Sequence, residues 1–432
     1  MHFRRISLAA LPLLAIPGLA NASESALNGA DTAWIMASTA LVLFMTLPGL
    51  ALFYGGLVRT RNVLSVHMQC FAIGGIASII WFAVGYSMAF TEGNAVVGGW
   101  SRALLAGIGE DTLSGTIPES LFALFQMTFA VITPALIIGA FAERMRFAAV
   151  LLFSAIWLIA VYVPVTHWVW GGGWLQQLGV LDFAGGIVVH ITAGVAALVA
   201  ALVIGPRKGF QVTQMPPHNL TMAVMGAGML WVGWFGFNGG SALASDGNAA
   251  MAMLVTHLAA ATGAITWLGY EWIRFGKPTA LGTITGMVAG LGTITPASGF
   301  VGPAAAVLIG FLASAICFNA VQIVKQRLKI DDSLDVFPVH GIGGMLGTML
   351  VGVFASTDLG LFSGQGFADG IESISHQFGV QLLAVVVVTG YTALVTYGVL
   401  KTVDAMVGLR VSTEDETVGL DIISHEERGY NL

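Results

Sequence analysis

Charged residues are what this 432-residue chain has least of. Asp, Glu, Lys and Arg make up only 9% of it, where a soluble domain carries about 25%. That excludes a water-soluble globule. Cysteine is nearly absent too, and Cys70 and Cys317 both lie in apolar runs. They read as small buried fillers, not as a disulfide or a metal site. There is no zinc-spaced Cys/His cluster, no Walker loop and no His-Glu-x-x-His, so neither a metal nor a cofactor is expected. No strand-like alternation persists long enough for a transmembrane barrel. The net charge of −6 says little, because the charges fall in loops.

What is present is apolar surface. Hydrophobic residues make up 56% of the chain, and its 56 glycines suit close helix packing in a bilayer. The class is an all-α polytopic membrane protein. At the start, "MHFRRISLAALPLLAIPGLANAS" has Arg4 and Arg5, a short apolar run and Ala20-Asn21-Ala22. That is the pattern of a signal peptide, residues 1–22.

A helix rises about 1.5 Å per residue, so an apolar core about 30 Å thick needs about 20 residues. This spacing places helices at 33–54, 63–90, 118–141, 147–167, 183–204, 219–241, 247–273, 280–296, 301–325, 339–357 and 377–408, eleven in all. "TPASGFVGP" splits the overlong uncharged run between Lys277 and Lys325. With the N-terminus outside, the inner loops hold Arg59/Arg61, Arg144/Arg146, Arg207/Lys208, Arg274/Lys277 and Lys325/Arg327/Lys329. The outer loops hold only Arg102 among several acids. That asymmetry follows the positive-inside rule and puts the C-terminus in the cytoplasm.

The first helix ends in "LALFYGGLV" and the sixth in "WFGFNGGSAL". Asp182 and His190 open the fifth helix, as Asp335 and His340 do the tenth. Five spans separate the members of each pair, and five is odd. Residues 33–206 and 219–357 are therefore expected to be inverted repeats. Helix eleven (377–408) and a cytoplasmic tail (409–432) follow. Pseudo-symmetry would bring His190 and His340 together near the midplane. Their neighbours, "VVHITAG" and "PVHGIGG", leave room for a narrow lumen. An imidazole pair can pass a proton or hydrogen-bond a small solute near neutral pH. Asp182 reads either as the N-cap of the fifth helix or as a buried anion favouring a cation at the outer mouth. Asp335 reads as a cap of the tenth.

Aromatic residues cluster. Phe125 and Phe129 share a helix face, Trp168, Trp170 and Trp174 lie near the outer interface, and Trp234, Phe237 and Ser241 follow one another in "WVGWFGFNGGS". They form either an interfacial belt or a cation–π vestibule. No nucleophile–base or metal constellation appears, so an intramembrane enzyme is not expected.

"TALVLFMTLPGLALFYGGLVR", "GAFAERMRF", "HWVWGGGWL", "LDFAGGIVVHI", "GWFGFNGGSA" and "DDSLDVFPVHGIGG" together resemble the Amt/Rh/Mep ammonium transporters, nearest to their bacterial branch. The resemblance covers nearly the whole chain beyond residue 22. It implies a homotrimer in the bacterial cytoplasmic membrane, with one narrow pore per subunit. It makes Phe129, Trp170 and Ser241 the outer ammonium site, and Phe129 and Phe237 stacked rings below it. Phe125 and Trp234 join that aromatic group. His190 and His340 become paired imidazoles lining the lumen. Asp182 supports recruitment and deprotonation, and Thr295 is a minor polar contact. A PII-type nitrogen-signalling protein is implied at the inner mouth, and no nucleic acid. Pro338 and the tail's "SHEERGY" depart from the family pattern. The expected function is ammonium transport, with ammonium sensing through the tail or gas conduction of the Rh type as alternatives.

Overall fold

Residues 26–431 are described in a computed structural model of the chain, and the expected signal peptide lies outside them. Among the described residues, eleven helices are long and apolar enough to cross a membrane. They are α1 (Gly29–Leu57), α2 (Thr60–Phe90), α3 (Glu119–Phe141), α4 (Phe147–Gln177), α5 (Gly186–Ile204) and α6 (Leu220–Gly239). They continue as α7 (Gly247–Phe275), α8 (Ala280–Ala297), α9 (Pro303–Arg327), α10 (Phe337–Phe354) and α11 (Ile374–Val407). Each matches one apolar run of the sequence. The largest discrepancy is at α4, where the chain turns at Gly171 and then adds a short helical piece, Trp174–Gln177. Proline and glycine separate α8 from α9, as the sequence predicts. Two short tail helices, α12 (Thr413–Val418) and α13 (Leu420–His425), follow.

The crossing of α5 and α10 organises the interior. A Cβ on Gly194 would lie 2.2 Å from the backbone nitrogen of Gly341, so the two backbones touch where a larger residue could not fit. A Cβ on Gly344 would meet Gly186 O at 2.8 Å and His190 Cβ at 2.9 Å. Each helix begins with a wide π turn, Gly186–Ile191 in α5 and Phe337–Gly341 in α10. Each turn carries one histidine.

The start of α10 corrects one expectation. Asp332, not Asp335, caps it, accepting the Phe337 N–H at 2.7 Å. Asp335 has a left-handed backbone (φ 60°) and pairs with Lys325 at 2.8 Å. Asp182 and Asp332 each lie eight residues before a histidine, and each caps the helix that carries it.

The basic loops meet at one end of the bundle. Glu143 is fully buried and accepts the Arg59 N–H at 2.6 Å and Nε at 2.8 Å. Arg207 reaches Glu143 at 3.1 Å and holds Asp331 through Nε (2.9 Å) and a second nitrogen (2.8 Å). Arg144 donates to Gly205 O, Ser333 Oγ and Asp331 O. The tail joins this network rather than hanging free. Glu416, 1% exposed, accepts the Lys208 N–H at 2.6 Å and Arg410 at 2.9 Å. Asn62 holds the Leu420 N–H at 2.8 Å, and Asp421 holds the Ser65 N–H at 2.8 Å. In this way the tail and the start of α2 cap each other.

Burial pushes the Glu143 and Asp331 carboxyls up. Arg207 and Arg59 at the first, and Arg207 and Arg144 at the second, nevertheless hold both below the ordinary carboxylate value. A depressed carboxyl contributes stability that is complete above the unfolded-state value, about pH 4, and lost as pH falls through the folded value. Thermal unfolding in detergent is therefore expected to show a loss of stability below about pH 4, flattened in Glu143→Gln. An unchanged slope in that variant would contradict the assignment.

Candidate functional site

At the acidic end, a vestibule of about 170 Å³ opens between Phe90, Phe122, Gln126, Phe129, Trp170 and Phe183, with Ser241 on its wall. The Phe129 ring stands edge-on to Trp170 (centroids 5.9 Å, 86°) and to Phe125 (5.1 Å, 74°). Beneath them Phe129 and Phe237 overlap at 4.4 Å and 38°, both almost wholly buried. The Ser241 hydroxyl donates to Phe237 O at 2.7 Å, leaving its oxygen lone pairs as acceptors.

Past these two rings the walls become apolar. A space of about 10 Å³ is lined by Phe53, Leu136, Trp234, Phe237, His190 and His340, among others. That is about one water sphere at most. His190 and His340 meet here, Nδ1 to Nδ1 at 3.2 Å, with ring planes 23° apart. One imidazole must donate and the other accept, so the two hold opposite tautomers. The pair then presents one bare nitrogen and one N–H at its outer positions. His190 also stacks on Trp234 (5.5 Å, 22°), and its Nε2 has no partner among the described residues. Gly292 faces the pair, where a Cβ would stand in ordinary contact with His340 Nδ1 (3.9 Å) and His190 Nε2 (4.0 Å). Below His340 a second vestibule of about 270 Å³ leads to the basic end past Tyr54, Leu57, Lys325 and Asp335.

Two expected site residues act through others. The Thr295 hydroxyl donates to Leu291 O (2.8 Å) and accepts the Trp234 indole N–H (2.9 Å). It lines none of these three spaces, and its bond anchors Trp234, which does. The Asp182 carboxylate accepts four backbone N–H groups, from Gly185 (2.9 Å), Gly186 (2.6 Å), Ile187 (2.8 Å) and Val188 (3.1 Å). Gly185 permits this wrap with φ 112°. Asp182 is thus a multiple cap for α5, absent from the vestibule wall, and its carbonyl holds the Trp170 indole at 2.8 Å.

Two further histidines tie down backbone. His167 tethers Ala89 O and Asn94 O, and His218 bonds Val58 O and the tail's Tyr430. Sequence reading missed Gln126, whose buried Oε1 has no partner among the described residues. It stands out as an amide in the apolar run "LFALFQMTF".

A family model described as Ammonium Transporter Family matches residues 33–430. The ammonium transporter of Bacillus subtilis (strain 168) is 48% identical over 402 residues, covering 93% of this chain and 98% of that protein. Two solved structures are similar throughout. The crystal structure of Saccharomyces cerevisiae Mep2 is 37% identical with a TM-score of 0.81, over 90% of this chain and 91% of that one. A structure named Sensor Amt Protein is 30% identical with a TM-score of 0.85, over 92% and 98%.

Removing the Asp182 carboxylate strands four N–H groups at the head of α5. A charge-assisted bond is worth about 1.5–3 kcal/mol. Asp182→Ala should therefore abolish methylammonium uptake and lower thermal stability in detergent. Asp182→Asn keeps one acceptor oxygen and should recover stability ahead of uptake. Full uptake in the Asn variant would leave capping as the residue's whole role.

Proposed function

The chain belongs to the ammonium transporter family, and so is a membrane transporter and not an enzyme; on that premise we propose that it recruits ammonium at the aromatic vestibule, removes one proton and conducts ammonia past His190 and His340. Ring faces of Phe129 and Trp170 are each worth about 0.5–2 kcal/mol to a desolvating cation, and the Ser241 oxygen accepts one of its N–H groups. The Asp182 charge, buried behind Trp170, favours a cation there.

Potassium resembles ammonium in size and would be held at the same mouth. What separates them is the next step. An unpaired charge entering an apolar space with room for about one water costs many kcal/mol. Potassium has no way to avoid that cost. Ammonium does: it leaves its proton and enters as neutral ammonia, which the bare imidazole nitrogen can hydrogen-bond. Selection then rests on proton chemistry more than on size. The released proton passes to the bare imidazole nitrogen, the shared Nδ1 proton moves across the 3.2 Å contact, and the far ring's N–H gives up its proton to the lower vestibule, which makes transport electrogenic.

The observation that carries this reading is the 3.2 Å contact of two buried imidazoles inside the apolar space. The orientation follows the basic loops: acidic end outside, basic end and tail in the cytoplasm of a bacterial cell. The trimer, and a PII-type protein at the basic end, are taken from the family resemblance. Sensing is a second reading, favoured by the tail residues Glu416 and Asp421 buried against the chain's own loops.

Purified protein reconstituted on a solid-supported membrane tests the relay. An ammonium gradient is expected to give a transient current in the wild type, and in His190→Ala and His340→Ala the remaining current should no longer distinguish ammonium from potassium. Uptake of ammonium without current would replace the relay with passive conduction of ammonia.

A further inference from the structure

We propose that Gln381 of α11 is a positioning residue for the vestibule, acting on Trp170 through Leu181 and Asp182; the inference rests on the reading of Trp170 as part of the ammonium site. The segment from Gly179 to Asp182 is neither helix nor strand, yet Leu181 and Asp182 are almost wholly buried. Buried backbone groups of irregular chain must find partners. Gln381 supplies both for Leu181. Its Oε1 accepts the Leu181 N–H at 2.9 Å, and its Nε2 donates to Leu181 O at 2.7 Å. The same Nε2 lies 3.2 Å from Thr348 O on α10. Gln381 is itself fully buried.

One turn earlier, Gln377 donates to Gly179 O at 2.8 Å and accepts the Ala368 N–H at 3.0 Å. The two amides therefore hold the segment as a neighbouring strand would. The next residue, Asp182, offers its carbonyl to the Trp170 indole and its carboxylate to the head of α5. A shift at Leu181 is thus passed directly to the ring that walls the vestibule. Helix α11 lies outside the two five-helix halves. This clamp gives it a task in recruitment, fixing the α5 mouth against α10. Gly352 leaves the space, since a Cβ there would stand 3.1 Å from Gln381 Cγ.

The test is a double-mutant cycle on methylammonium uptake into proteoliposomes. Gln381→Met orphans two backbone groups and is expected to raise the half-saturation concentration about tenfold, with a smaller change in maximal rate. In a Trp170→Leu background the same substitution should add nothing, because the ring it positions is gone. If the two effects multiply, or if Trp170→Leu raises half-saturation while Gln381→Met does not, the positioning role is wrong. If Trp170→Leu leaves half-saturation unchanged, the reading of the vestibule fails and the role of Gln381 falls with it. Should Gln381→Met not fold, Gln381→Glu retains the acceptor for Leu181 N–H, and the same cycle is read with a smaller rise.

Discussion

Two helix backbones in contact at Gly194 and Gly341 are the constraint from which the rest of the interior follows. Their closeness lets His190 and His340 share a hydrogen bond through Nδ1, and it leaves the lumen beside them too small to hydrate an ion. In a bilayer, helices gain little from burying apolar surface, and small residues let backbones pack where larger ones would hold them apart. The wide π turns at the start of α5 and α10 bring each ring inward, and π turns are often found at functional positions.

Around that crossing the chain spends its few charges on fixing backbone. Asp182 caps α5 and Asp332 caps α10, Asp421 caps α2, and Glu416 and Glu143 hold loop N–H groups. None of these carboxylates lines the narrow space between Phe237 and His340. The division is physically sensible. A charge beside the imidazoles would bind a cation where the proposed mechanism needs a neutral guest, whereas a charge at a helix N-terminus meets the positive end of the helix dipole.

Much of this was legible in the sequence. Eleven apolar runs at bilayer length gave eleven helices, because backbone polar groups in lipid have almost no alternative to helix. Basic residues of three inner loops, Arg59, Arg144 and Arg207, gather in one network, and seven of the ten residues marked in the sequence line the vestibule or the narrow space, whereas Phe125 packs on Phe129 and Thr295 and Asp182 lie behind the walls. The errors share a cause. Asp335 stands next to the tenth helix, but its backbone is left-handed and its carboxylate meets Lys325; the eight-residue spacing shared by Asp182–His190 and Asp332–His340 is the better signal. Gln381 and Gln377 carry no such pattern. Lone amides in an apolar helix do not reveal which distant carbonyl they meet.

The claim that matters most is that the histidine pair's space admits only a solute able to leave its charge behind. Potassium-binding-dye flux into proteoliposomes, measured against ammonium flux under matched gradients, tests it most directly. Wild-type protein should pass ammonium and no measurable potassium. His190→Ala, which enlarges the lumen enough to hold water, should begin to pass potassium while still folded. Potassium flux through the wild type, or undiminished exclusion in His190→Ala, would contradict the account.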